Sequence, residues 1–310
     1  VADRHRSPRP ALTALAAVGG LGAAAAVWGI GIERHLYTVR RHDVAVLPPG
    51  ARPVRILHIS DAHMAPWQRR KQRWIGSLAA LEPDLVVNTG DNLGHGEGLR
   101  GIREALAPFA GVPGVFVHGS NDRFEPSPRN PLRYFSGPSS RKPKATPIDT
   151  DALDRFLGEE LGWADLNNAA TQLQVGGLRV RAYGVSDAHR DWDDLDAVDA
   201  ALVGMPKADL DLGVTHAPYR RVLDDFTARG ADLLLAGHTH GGQVRIPGSP
   251  AALVANCDIP LRQARGLSAW TSGGRRVPLN VSAGIGHSIY APVRFGCRPE
   301  ATLLTLVPRE

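Results

Sequence analysis

The chain has 310 residues, a formal net charge of +5 and an apolar fraction of 43%, ordinary values for a globular protein with room for a real core. The charge excess suits anionic substrates or an anionic membrane surface and is too small to argue for nucleic acid, so no nucleic-acid partner is expected. Two cysteines, Cys257 and Cys297, lack CxxC spacing, which excludes a disulfide scaffold and a cysteine-ligated zinc site. They could pair if the domain is exported.

Residues 1–10 form a short basic segment containing Arg4, Arg6 and Arg9. Residues 11–32 carry no charge and, at about 1.5 Å per helical residue, are long enough to cross a bilayer. A retained N-terminal anchor, a single membrane pass, is the preferred reading. A secretory signal cleaved near Ala24-Ala25-Ala26 and a buried Ala-rich helix are the alternatives. No Arg-Arg pair precedes the run, so a twin-arginine export signal is not supported. Arg34, Arg40 and Arg41 follow it about as densely as arginines precede it, which leaves the side of the membrane open. Residues 33–53 read as a linker, extended over 42–53, and residues 54–310 as the functional domain.

A regular alternation then begins. Strands are predicted at Val54–Ser60, Asp84–Thr89 and Gly114–His118, with helices at Gln68–Leu81 and Glu97–Phe109 between them. Strand–helix–strand repeats of this length imply right-handed crossovers and a parallel core. Residues 123–150 interrupt the pattern as a long basic loop carrying Arg129, Arg133, Arg141, Lys142 and Lys144. Such a loop could cover a site and steer anions, or be merely solvated. A helix comes next at Asp151–Leu161, with Thr150 as its cap. Thr171–Val175 and Leu178–Val185 form a hairpin around Gly176-Gly177. Beyond it lie a helix at Asp193–Val203, a strand at Leu210–Thr215, a helix at Tyr219–Arg229 and a buried strand at Ala231–Ala236. Pro278–Ala283 and Ala301–Val307 supply further strand material.

The residues just past the strands are more informative than the strands themselves. Asp61 and His63 come after the first, Asp91 and Asn92 after the second, Asn121 and Asp122 after the third, His216 after the fourth, and His238 and His240 after the fifth. The carboxyl ends of strands in an open α/β sheet share one edge, where ligands bind. Neutral imidazole is the commonest metal-ligating side chain. Oxygen and nitrogen donors without thiolate suit Mn, Fe, Zn or Co. These groups exceed the needs of one ion. Two divalent ions about 3.5–4 Å apart, bridged by a carboxylate, would use them all, in the arrangement that hydrolyses phosphoesters.

Asp61-x-His63, Gly90-Asp91-Asn92, the Asn121 turn, His216 and Gly237-His238-Thr239-His240 resemble the signature of the calcineurin-like metallophosphoesterases. The stretch from Gly284-Ile285-Gly286 through Pro292-Val293-Arg294-Phe295-Gly296 to Pro299-Glu300 resembles that family's membrane-associated bacterial branch. The resemblance implies an α/β fold of two packed mixed β-sheets flanked by helices, here with a hydrophobic N-terminal helix. It implies one metal held by Asp61, His63 and His240, a second held by Asn121, His216 and His238, and Asp91 bridging. A hydroxide shared by the ions would attack phosphorus in line. The implied substrate is a phosphodiester or pyrophosphate, possible substrates including lipid-linked ones at the membrane. A non-catalytic metal-binding platform, and a protein phosphatase or nucleotidase, are the alternatives.

The third block departs from the family, which reads Gly-Asn-His-Asp/Glu where this chain reads Gly119-Ser120-Asn121-Asp122. Asn121 is preferred over Ser120 as the ligand. The usual histidine is absent, and Asp122 stands in its place as candidate catalytic acid, with Asn92 as the other catalytic candidate. Beside the Asp-x-His turn, Trp67-Gln68-Arg69-Arg70-Lys71-Gln72-Arg73-Trp74 reads as a solvated helix start or an interfacial basic patch. Asp191, Asp193, Asp194 and Asp196 read as a helix start favoured by the dipole.

Overall fold

A computed structural model of the chain describes residues 10–128, 130, 135–139 and 146–310. Arg129, Arg133, Arg141, Lys142 and Lys144 of the basic loop lie outside the described residues. The first strands in chain order are β1 (Thr38–Leu47), β2 (Val54–Ile59), β3 (Leu85–Asn88), β4 (Gly114–Phe116), β5 (Ala164–Asp165) and β6 (Ala169–Val175). They are followed by β7 (Leu178–Val185), β8 (Leu210–Thr215), β9 (Leu233–Ala236), β10 (Gly266–Ser272), β11 (Arg275–Val281) and β12 (Glu300–Pro308). One six-stranded sheet runs β1-β12-β2-β3-β4-β5 and the other β10-β11-β9-β8-β7-β6. Both are mixed. β2 to β5 are parallel and β12 runs against β2; β7, β8, β9 and β11 are parallel, with β6 and β10 antiparallel at the edges.

Period-two burial explains the layers. Along β2, Val54 and Ile56 enter the core between the sheets, while Leu57 and Ile59 face the opposite way. Along β9, Leu233 and Leu235 point inward, and Leu234 and Ala236 outward. Each sheet is therefore buried on both faces, which accounts for its continuous apolar runs. Helices α2 (Arg69–Ser77) and α3 (Leu99–Leu106) cover the first sheet with Ile75, Ile102 and Leu106. Helices α5 (Leu195–Leu202) and α6 (Arg220–Arg229) cover the second with Val198, Val222, Leu223 and Phe226. Between these pairs in sequence, α4 (Thr150–Asp154) passes into a wider helical turn over Arg155–Glu160. Its cap is Asp149, whose carboxylate accepts from Ala152 N at 3.0 Å, rather than Thr150. Thr150 Oγ1 instead donates to the Asp122 carbonyl at 3.0 Å, pinning the helix to the third turn.

The linker expected over 33–53 is partly sheet. Thr38–Leu47 forms β1, paired in parallel with β12, and its Val44, Val46 and Leu47 are buried between the sheets. The polar alternation Arg40-Arg41-His42-Asp43 hid the strand, because only its second half reaches the core. Before it, helix α1 (Pro10–Ala26) continues through Val27–Ile32 into a short turn at Glu33–His35. Within it, Thr13–His35 is long and apolar enough to cross a membrane, with a mean hydropathy of 1.8 and 6% of its most apolar window buried. Cys257 and Cys297 are free thiols.

Candidate metal centre

The turns after β2, β3, β4, β8 and β9 meet at one edge, between the two sheets. Asp61, His63, Asp91, His238 and His240 all have left-handed backbones, with φ of 49°, 40°, 51°, 67° and 50°. Such a conformation costs a non-glycine residue of order 1–3 kcal/mol and persists only where its surroundings impose it. Here the turns impose it on one another. Asp61 N donates to Gly90 O at 2.8 Å, His63 N to Asp91 O at 2.9 Å, and His238 N to Asp61 Oδ2 at 3.0 Å. Glycines make room for this. A Cβ on Gly237 would strike Ser60 Oγ and lie 2.6 Å from Asp61 Oδ2, and one on Gly119 would strike Asp91 Oδ1 and lie 2.6 Å from His216 Nε2.

The side chains converge in two groups. In the first, His63 Nε2 lies 3.0 Å from His240 Nε2, and His240 Nε2 lies 3.5 Å from Asp61 Oδ1. In the second, His216 Nε2 lies 3.7 Å from Asp91 Oδ2 and 3.3 Å from His238 Nδ1. Asp91 Oδ2 also lies 3.5 Å from His63 Nε2, so it stands between the groups. Asn121 joins through Asp91, with its backbone N 2.8 Å from Oδ1 and its amide 2.6 Å from Oδ2. Turning that amide over would present its oxygen to the same point. Ser120 Oγ faces Arg190 instead, at 3.5 Å.

The donor set suits a cation. Asp61 Oδ1 is buried with no hydrogen-bond partner, an expensive state for a carboxylate oxygen unless a positive charge faces it. Outer contacts fix the rings as they do for metal-ligating histidines. His216 Nδ1 sits 2.7 Å from Thr89 O, and His238 Nε2 sits 3.1 Å from Asn256 O, so each outer nitrogen has an acceptor for a proton and each inner one faces the centre. His240 differs, since its Nδ1 lies 3.1 Å from Nη2 of Arg294, a donor.

Titration behaviour reports the same field. Burial pushes the Asp61 carboxyl up to about 7, against the pull of His216. Burial would do the same to Asp91, but His216, His63 and the Asn121 bonds outweigh it and hold its pKa well below the carboxylate range. Burial pulls His216 down, and Asp91, Asp187 and Asp61 more than reverse this, raising it to about 9. Burial lowers His63 to about 4 and takes His238 and His240 well below their usual value. Most of the rings are thus neutral and able to donate lone pairs, around carboxylates whose charge attracts a cation.

Asp122 and Asn92 are placed differently. Asp122 is fully buried, and its carboxylate accepts from the backbone N of Asn92 at 2.7 Å, of Leu93 at 3.2 Å and of Gly119 at 3.1 Å. The Asn92 side chain accepts from Asn88 Nδ2 at 2.8 Å and approaches Asp122 Oδ2 at 3.5 Å. Both side chains tie the second turn to the third. Proton transfer, the role expected for Asp122, would require its bonds to break.

Sequence reasoning misses several neighbours. Asp187, after β7, is buried with Oδ2 unpartnered, and burial raises its pKa to about 6. His189 packs against His238 with ring centres 4.5 Å apart and the planes tilted by 40°, and it bonds Tyr219 Oη at 2.9 Å. Both stand at the carboxyl end of a sixth strand, so the rule that finds the other residues would find them too. Lys71 is buried and donates to Ala62 O at 2.6 Å and His63 O at 3.2 Å, clamping the Asp-x-His turn. It is therefore neither solvated nor interfacial, unlike the basic run in which the sequence sets it.

The third turn also carries a pH-sensitive contact. His118 Nε2 lies 2.5 Å from Asp154 Oδ1, and its Nδ1 lies 3.4 Å from Asp122 Oδ2. Burial lowers its pKa, but these carboxylates outweigh that and raise it to about 9 from 6.5. A raised folded-state pKa gives stability that is complete below 6.5 and lost as pH rises through about 9. The melting-temperature difference between the metal-free wild type and His118→Gln is therefore expected to shrink steadily from pH 6.5 to 9. A difference independent of pH would show that His118 is neutral in the fold.

Comparison with known proteins gives the family. The calcineurin-like phosphoesterase family model matches residues 54–242. The chain is 28% identical over 279 residues to an Escherichia coli (strain K12) protein named Phosphodiesterase YaeI, covering 86% of this chain and 87% of that one. It is 26% identical over 261 residues to the Bacillus subtilis (strain 168) protein YpbG, covering 83% and 82%. A solved structure from Thermus thermophilus, described as a hypothetical protein, is 19% identical with a TM-score of 0.43, covering 76% of this chain and 81% of that one. The chain belongs to the calcineurin-like phosphoesterases and is a phosphoric ester hydrolase of the metallophosphoesterase type.

Proposed function

We propose that this enzyme hydrolyses phosphodiester or pyrophosphate bonds at a centre of two divalent ions, on substrates held at a membrane. The observation that carries the reading is the convergence of imidazoles and buried carboxylates from four strand ends, joined by Asn121 from a fifth, with Asp61 Oδ1 unpartnered. Asp61, His63 and His240 would hold one ion, Asn121, His216 and His238 the other, with Asp91 shared. Bound there, such ions supply a lowered water pKa and Lewis acidity toward phosphoryl oxygens. The chain's own part is to hold the donors in place before substrate arrives, and a bound cation would displace the proton that His216 otherwise keeps. A relative named as a phosphodiesterase supports the bond type. Elemental analysis after saturation with Mn should give two ions per chain, and Asp91→Ala should lose both. At most one ion in the wild type would end the dinuclear reading.

The bonds of Asp122 make it a brace for the centre rather than a proton donor. Asp122→Asn should slow aryl and alkyl diesters by similar factors, because both depend on the shape of the turn. Loss of a general acid would instead penalise alkyl esters alone, by about a hundredfold to ten-thousandfold. A selective alkyl defect with both metals bound would return the acid role to Asp122.

Membrane attachment is supported by the apolar helix Thr13–His35 and by exposed apolar side chains on loops around the centre. Trp67 follows the first turn, Val244 and Ile246 follow the fifth, and Tyr290 lies on the segment that packs beside it. The full chain should stay with membranes through a carbonate wash. Release into the supernatant would remove the anchor.

A further inference from the structure

The motif Pro292-Val293-Arg294-Phe295-Gly296 has no place in the ligand set, yet Arg294 is a fully buried arginine. Its guanidinium donates to His240 O at 3.1 Å, Ala283 O at 2.7 Å, Gly284 O at 3.2 Å and Gly286 O, and touches His240 Nδ1 at 3.1 Å. It therefore fixes the backbone of one proposed ligand through the His240 carbonyl and ties that turn to residues 283–286. The strand-like bridge between Val244 and Phe295 continues that grip, with Arg245 N donating to Phe295 O at 2.8 Å.

The other side of the same segment is held by the foot of the N-terminal helix. Glu33 is only 5% exposed, although it ends an otherwise apolar span. Its Oε1 accepts from Cys297 N at 2.8 Å, and its Oε2 from Gly296 N at 3.0 Å and Trp28 Nε1 at 2.6 Å. Arg294 N donates to Gly29 O at 3.1 Å, and a Cβ on Gly29 would lie 3.0 Å from Arg294 O, a tight contact that a glycine avoids. A span that served only as a tether would need none of these contacts.

We propose that the helix foot is a working part of the metal centre. Glu33 fixes residues 296–297, these fix Arg294, and Arg294 holds the backbone turn that carries His240. Both side chains are positioning residues, and the inference rests on the metal-centre reading above. Because the chain of contacts ends on a ligand of one ion only, its loss weakens one metal position and spares the other. Loss of an outer-shell partner typically costs about tenfold to a hundredfold in metal affinity.

The test uses the full chain in detergent, titrated with Mn(II) alone by equilibrium dialysis, with thermal melts in parallel. Glu33→Ala should bind one Mn(II) with wild-type affinity and the other about tenfold to a hundredfold more weakly. Glu33→Gln, which keeps an acceptor for one of the two backbone N–H groups, should recover part of this. Trp28→Phe, which removes only the indole donor, should match the wild type. Arg294→Lys, which keeps the charge and cannot bond the carbonyls of His240, Ala283, Gly284 and Gly286 together, should reproduce the one-site loss and carries the test if Glu33→Ala fails to fold. A merely structural role would lower the melting temperature and leave both affinities intact, which overturns the proposal while the metal centre stands. A wild type that takes up no Mn(II) would overturn the metal centre itself and this inference with it.

Discussion

The rim of this molecule depends on the burial of Asp61. Its Oδ2 takes hydrogen bonds from Ser60 Oγ at 2.5 Å and His238 N at 3.0 Å, its backbone N donates to Gly90 O at 2.8 Å, and its carbonyl accepts from Gly286 N at 2.6 Å. One residue thereby joins the turns after β2, β3, β9 and β11. Such joining needs backbone in close contact, which is why Gly237 and Gly284 pack directly on Asp61. The left-handed φ values of the neighbouring ligands result from it. Each turn must bend back sharply to aim its side chain at a point shared by both sheets, and no turn could hold that bend alone.

Burial on this scale sets an electrostatic problem. A carboxylate moved out of water is stable only when paired, and an unpaired one takes up a proton instead. Asp61 and Asp187 show the second response, with pKa values pushed up to about 7 and about 6. Asp91 shows the first, held low by two histidines and Asn121. Without a cation the cluster shares protons among its own members; with cations the same groups would all be satisfied. Lys71 and Arg294 sit just outside, each donating mainly to backbone carbonyls of the ligand turns. Their charge is spread over peptide dipoles, so they stiffen the turns without neutralising the carboxylates within.

The residues of the proposed ligand set are legible in the sequence because strand ends are legible. An apolar run that stops at Asp-x-His or Gly-His-Thr-His places its polar groups at the sheet edge whatever the sheet's exact order. The same logic finds Asp91, Asn121 and His216. The features that escape it are decided by tertiary contact. Lys71 looks like one cation among Arg69, Arg70 and Arg73, and only the three-dimensional path of α2 buries it. β1 escapes because Arg40 to Asp43 lie on its exposed half, and β5 because two residues carry no period. Asp122 is placed correctly along the chain, yet nothing in Gly-Ser-Asn-Asp tells that its carboxylate turns back to three backbone N–H groups.

The N-terminal helix shows how one segment can answer to two solvents. Residues from Thr13 onward are apolar on every side, as a bilayer requires, whereas Gly29 and Glu33 are buried against residues 293–297 of the domain. The change falls after Ala26, the region where a signal peptidase would also cut. Cleavage there would remove the apolar span and leave Trp28, Gly29 and Glu33 attached to the domain. The apolar span and the contacts of the helix foot are therefore carried by neighbouring, separable residues. Those contacts would be the same whether the chain were retained in a membrane or released from it.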